Sequence, residues 1–150
     1  MVESNLFSKL ENILRSQNFR EADTETLMVV LKVANREKEG RLTLEDAKTF
    51  SYENLLIIDN LWCRWSNGKF GISVQQKIWC ECGGARKYDA DMVLNTSISF
   101  GDRVGWRCKG KWLPYDQLNF SLNAPVGHLP CGGSPHTYIW TMCMDMNDLP

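Results

Sequence analysis

Leu6, Leu10, Ile13 and Leu14 recur at the three- and four-residue intervals of a helix, and Phe19, Ala22, Leu27, Val30, Leu31 and Ala34 resume that rhythm after a polar break at residues 16–18. Two amphipathic helices are predicted. Residues 35–41, NREKEGR, hold no apolar side chain and one glycine, so they predict a solvated loop. Thr43 and Asp46 have the spacing of a capping box and start the next helical segment. Its apolar stripe, Leu55, Ile58, Leu61, Trp62 and Trp65, stops at Ser66-Asn67-Gly68. Helical spacing returns at Phe70, Val74 and Ile78, so the Asn-Gly pair predicts a helix-to-helix turn rather than a hairpin.

Beyond Trp79 the periodicity fades, and residues 80–97 predict a loop or a short hairpin. Residues 105–115, GWRCKGKWLPY, alternate large apolar with polar side chains around Lys109-Gly110, which predicts two short strands and a tight turn. Four amphipathic segments before residue 80 can bury their stripes only against one another. The predicted fold class is therefore mainly α: a compact single helical domain with one or two short strand pairs. The last twenty residues contain no Lys or Arg but three of the six Met, with Gly132-Gly133 as a hinge. This tail reads either as a mobile or partner-binding segment or as a stretch that crosses back over the core.

Composition narrows the function classes. A chain of 150 residues, 43% hydrophobic and 23% charged, suits one globular domain. Its net charge of -1 supplies no positive field for collecting nucleic acid. The apolar runs fall well short of the roughly 20 residues that span a bilayer. The first residues, MVESNLFSKLENIL, predict neither a secretory signal nor a transit peptide. Six cysteines at irregular spacings predict reduced thiols, and Cys80-Glu-Cys82 with Cys108, His128 and Cys131 lacks the paired spacing of a zinc site. His128, inside APVGHLP, reads as a structural histidine rather than a base. No nucleophile elbow, P-loop or dinucleotide fingerprint marks an enzyme.

The aromatic content does point somewhere. Trp62, Trp65, Trp79, Trp106 and Trp112 form either an unusually aromatic core or the wall of a pocket for something flat. Cations gather at Arg36, Lys38 and Arg41, and again at Arg103, Arg107, Lys109 and Lys111. Aromatic walls with cations at the mouth suit a large flat ligand with acidic edges.

Four stretches carry a resemblance: SQNFREADTETL (16–27), LLIIDNLWCRWSNGKFGISVQQKIW (55–79), FGDRVGWRCKGKWLPYDQLNFSLNAP (100–125) and GHLP (127–130). In order and spacing they resemble the Genomes Uncoupled Four family, over about residues 6–130. The resemblance implies a domain at 6–130 shaped like a cupped hand, followed by a tail at 131–150. It implies a non-enzymatic, tetrapyrrole-binding regulator of magnesium chelatase in chlorophyll synthesis. The ligand would be protoporphyrin IX or magnesium protoporphyrin IX, with an open-chain bilin as an alternative and no covalent link expected. Apart from the resemblance, the thiol of Cys131 near the implied cleft offers a further reading, a covalently attached bilin. The implied partner is the porphyrin-binding subunit of the chelatase, and the implied compartment is the cyanobacterial cytoplasm or chloroplast stroma, at most peripheral to the thylakoid. The family's cleft lies between two loops that correspond to residues 33–43 and about 113–130. Its implied walls are Leu44, Ala47, Trp112, Tyr115 and Leu118, with Arg36, Lys38 and Arg41 at the mouth. Leu27 stands where chelatase-activating relatives have an Arg, and after Leu129 and Pro130 the chain continues CGGSPHTYIW where they carry an Asn and two Arg. Those departures suit a second reading, a protein-interaction or signalling module that keeps the fold without a pigment.

Overall fold

The computed structural model describes residues 2–84 and 90–132, in which six α-helices precede a two-stranded hairpin and a single 3-10 turn. Helix α1 (Val2–Arg15) and α2 (Phe19–Val33) form an antiparallel pair, since the three intervening residues leave room only for a reversal. Asn18 caps α2 by accepting from the Glu21 N–H. Helix α3 (Leu44–Lys48) opens on the expected capping box: Asp46 N–H donates to the Thr43 hydroxyl at 3.1 Å and Thr43 N–H to the Asp46 carboxylate at 2.9 Å. The segment read as one helix from Thr43 to Trp65 is broken, because Ser51 takes the Asn54 N–H and starts α4 (Tyr52–Trp65) afresh. Helix α5 (Ile72–Glu81) follows the Ser66-Asn67-Gly68 turn as expected.

Helix α5 has no side-chain cap of its own. Asp59, buried on α4, substitutes: its carboxylate accepts both the Ser73 N–H at 2.8 Å and the Ser73 hydroxyl at 3.0 Å. The negative charge thus sits at the positive end of α5 and ties the two helices together.

The largest correction concerns residues 80–97. Ala90–Val104 is a helix, α6, rather than part of a loop or hairpin. Asn95, Thr96, Ser97, Ser99 and Gly101 are weak helix formers that dilute the periodicity. Burial nevertheless follows the helix, for Thr96, Phe100 and Val104 lie one above the next on the face turned to α5. The predicted hairpin is present: β1 (Arg107–Cys108) pairs antiparallel with β2 (Lys111–Trp112) through Lys109-Gly110. The mainly helical class with one short strand pair holds, and none of the described helices is long and apolar enough to cross a membrane. The tail beyond residue 132, with Cys143, lies outside the described residues.

Two aromatic clusters answer part of the tryptophan question. Trp62 packs with Phe19 and Phe70, centroids 6.1 and 6.3 Å away, and donates its indole N–H to Thr26 at 2.9 Å. Phe100 joins Trp79 at 5.7 Å and Trp106 at 5.3 Å. Trp62, Trp79 and Trp106 are fully buried core, whereas Trp65 and Trp112 lie at its edge. The five described cysteines carry free thiols, and no three His, Cys, Asp or Glu side chains among the described residues converge on a metal position.

Candidate functional site

Residues 113–132 hold their irregular path because buried groups beneath them supply the missing hydrogen bonds. Gln75 donates from its amide to the Gly127 carbonyl at 3.0 Å and to the Pro130 carbonyl at 2.7 Å, and the Trp106 indole N–H donates to the His128 carbonyl at 2.8 Å. Gly71 N–H reaches the Leu129 carbonyl at 3.1 Å. His128 is itself a brace. One ring nitrogen, Nδ1, lies 2.6 Å from the Val104 carbonyl and the other, Nε2, accepts the Asn119 N–H at 3.1 Å. Because Nε2 accepts an N–H and Nδ1 faces a carbonyl, the proton belongs on Nδ1 and the ring is a neutral imidazole, in keeping with burial, which lowers its pKa. The structural reading of His128 therefore stands.

Tyr115, on the 3-10 turn Tyr115–Gln117, is half-buried and donates its hydroxyl to Asp23 of α2 at 2.6 Å. Burial, then the charge of Asp23, pushes the phenol above its usual pKa. Its ring meets Phe120 edge-on at 5.3 Å, and the guanidinium of Arg20 lies 4.4 Å from the Phe120 centroid. Trp112 packs against α6, so closely that a Cβ at Gly101 would come within 2.8 Å of its ring, and Arg107 lies 5.4 Å from its centroid. Leu118 is 6% exposed and Ala47 fully enclosed, which places both behind the surface rather than on it. The side chain of Leu44 lies outside the described residues.

At the other loop the three cations differ. Arg36 donates to Asp46 at 2.9 Å and faces Glu39 at 3.5 Å. That hydrogen bond and charge raise the guanidinium pKa, while the Thr43 N–H, followed by Arg36, lowers that of Asp46. The loop is thereby fastened to the cap of α3. Lys38 and Arg41 are exposed and form no ion pair among the described residues.

Helix α2 separates the two groups. One stripe of it runs Arg20, Asp23, Leu27, Leu31, Ala34. It touches Phe120 and Tyr115 at one end and enters the Arg36 loop at the other. From Asp23 to Ala34 the helix rises about 16 Å. Half-buried Leu27 lies between, on the helix surface that joins the loops. Sequence reasoning noted Leu27 only as a departure from relatives, and missed Arg20, Asp23 and Phe120 as candidates. The available signal was Asp23, a charge on the apolar face of a predicted helix. Two open grooves, of about 480 Å³ beside Lys77 and Arg103 and about 500 Å³ between α1 and α2, contain none of the seven predicted residues whose side chains are described.

Residues 2–145 match the family described as GUN4-like. The chain belongs to this family. A GUN4-like relative from Arabidopsis thaliana, named tetrapyrrole-binding protein, chloroplastic, is 36% identical over 129 residues, covering 83% of this chain and 48% of that protein. The Ycf53-like protein of a Synechocystis strain is 29% identical over 124 residues, 81% of this chain and 48% of its own. The chain thus spans about half the length of the curated relatives it matches. Ligand-free Arabidopsis GUN4 superposes with a TM-score of 0.76 at 34% identity, covering 95% of each chain. GUN4 from Chlamydomonas reinhardtii gives 0.73 at 27% identity, over 95% of this chain and 89% of the other. These matches agree with the helical GUN4-like fold read from sequence.

Proposed function

We propose that this GUN4-like protein is a non-enzymatic tetrapyrrole-binding protein whose cleft runs along α2, between the 33–43 loop and the 113–130 loop. Membership of the family together with 36% identity to a protein named for tetrapyrrole binding carries the reading. The residues present fit such a ligand. Half-buried Trp112, Tyr115 and Phe120 offer aromatic surface at one side, with Leu27 as apolar floor. Buried Ala47 and Leu118, together with Leu44, are assigned to that wall by the family resemblance, and exposed Lys38 and Arg41 are the cations proposed to meet the propionates. Arg36 acts indirectly, by fixing the loop through Asp46. Protoporphyrin IX or magnesium protoporphyrin IX is the proposed ligand, held without a covalent bond.

The finer role is activation of magnesium chelatase through its porphyrin-binding subunit, in the chloroplast stroma or cyanobacterial cytoplasm. Chloroplastic and cyanobacterial relatives support the compartment. The test is the visible spectrum of the protein purified from a pigment-making host, followed by chelatase rate with and without it. A Soret band that co-purifies and a faster chelatase support the whole proposal. A colourless protein that leaves the rate unchanged would favour the interaction module, to which the Leu27 and CGGSPHTYIW departures already lend weight.

A further inference from the structure

Asp23 has no exposed surface and stands on the core-facing side of α2. A carboxylate withdrawn from water is tolerated only where donors satisfy its oxygens. Oδ2 takes the Tyr115 hydroxyl at 2.6 Å, and Oδ1 takes the Cys131 N–H at 2.6 Å and the Gly132 N–H at 3.1 Å. One buried group thus holds two separate stretches of chain: the turn that carries a cleft-wall ring, and the backbone that follows the Leu129-Pro130 bond. Tyr115 and Phe120 form one edge-on pair, so fixing the phenol also fixes its neighbour.

We propose that Asp23 is a positioning residue for the tetrapyrrole cleft, orienting Tyr115 and, through the same carboxylate, coupling ligand seating to closure of the segment at Cys131 and Gly132. The coupling rests on the tetrapyrrole reading above, while the latch itself rests on the three hydrogen bonds. With the latch made, the Tyr115 ring faces the ligand in a single orientation. With it broken, the ring and the 131–132 backbone both loosen. By linkage, a ligand that favours the latched state must raise protection of those two amides by the factor that the latch contributes to affinity.

The experiment combines residue-resolved amide exchange with protoporphyrin IX titration on the full chain, comparing wild type, Tyr115→Phe and Asp23→Asn. Tyr115→Phe keeps the ring and removes one hydroxyl, so it carries the test even where Asp23→Asn fails to fold. The expected result is about tenfold faster exchange at Cys131 and Gly132 in Tyr115→Phe, about tenfold weaker binding, and a displaced Soret maximum. Saturating protoporphyrin IX should slow wild-type exchange at both amides by a similar factor. Unchanged affinity and Soret position beside faster exchange would make Asp23 purely structural and overturn the proposal, as would wild-type exchange rates in both variants. A wild type that shows no saturable binding would instead fell the tetrapyrrole reading, and the coupling with it.

Discussion

Gly71→Ala should destabilise the fold far more than Gly68→Ala, although both positions have positive φ. Gly71 sits at φ 136° and ψ 161°, a region that is essentially closed to side chains. A Cβ there would lie 2.6 Å from Cys63 Sγ and 2.9 Å from Asp59 Oδ1, the oxygen that caps α5 through Ser73. Gly68, at φ 78°, has nothing within 4 Å of the same added atom. Backbone strain of about 1–3 kcal/mol and crowding of similar size put Gly71→Ala at about 3–5 kcal/mol, against about 1 kcal/mol of left-handed strain for Gly68→Ala. Stabilities of this order total only about 5–15 kcal/mol. Urea unfolding with unchanged slope should show the difference in midpoint, and melting should fall by about 9–15 °C for Gly71→Ala against about 3 °C for Gly68→Ala. The 127–130 backbone should loosen with it, since Gly71 N–H holds Leu129. Equal, mild losses would show that Asp59 does not cap α5 as described.

Three further outcomes are expected. Trp112→Ala should weaken protoporphyrin binding about 30-fold, the loss of about 2 kcal/mol of aromatic burial, whereas Lys38→Ala, an exposed cation, should cost less than about fivefold; parity in the titration would show the wall misplaced. His128 is held neutral in the fold but protonates near pH 6.5 when unfolded, so below that the unfolded chain binds more protons and stability falls with pH. Urea midpoints should therefore drop between about pH 7.5 and 5.5, less so in His128→Gln, and a midpoint that rises on acidification would contradict the assignment. The Cys63 thiol is pushed up to about 11 by burial and by the charge of Asp59, so iodoacetamide at about pH 8 should label exposed Cys80 and Cys108 before Cys63, as peptide mass mapping would show.

Helices were legible where apolar spacing was strong. Leu6 to Leu14 and Leu55 to Trp65 announce their buried faces, and the Thr43 capping box marks its helix with two side chains alone. Helix α6 was hidden because its Ser, Thr, Asn and Gly residues reveal a helix only once Phe100 meets the Trp79 and Trp106 rings and Val104 is buried. Ser51 was hidden within a continuous apolar stripe, since a cap acts on backbone N–H groups and leaves no periodic trace. Aromatic abundance did not separate partly buried Trp112, proposed for the cleft wall, from Trp62, Trp79 and Trp106, which are core. The Asp23 to Tyr115 bond joins positions far apart in sequence, so no local pattern encodes it.

The central claim, a tetrapyrrole cleft along α2, is tested most directly by following tryptophan fluorescence of the folded, full chain as protoporphyrin IX, magnesium protoporphyrin IX and a bilin are added in turn. The account predicts saturable quenching at micromolar porphyrin, with one ligand per chain and a shifted Soret band, and weaker quenching in Trp112→Ala. Linear, non-saturating quenching that is identical in wild type and Trp112→Ala for all three pigments would contradict it.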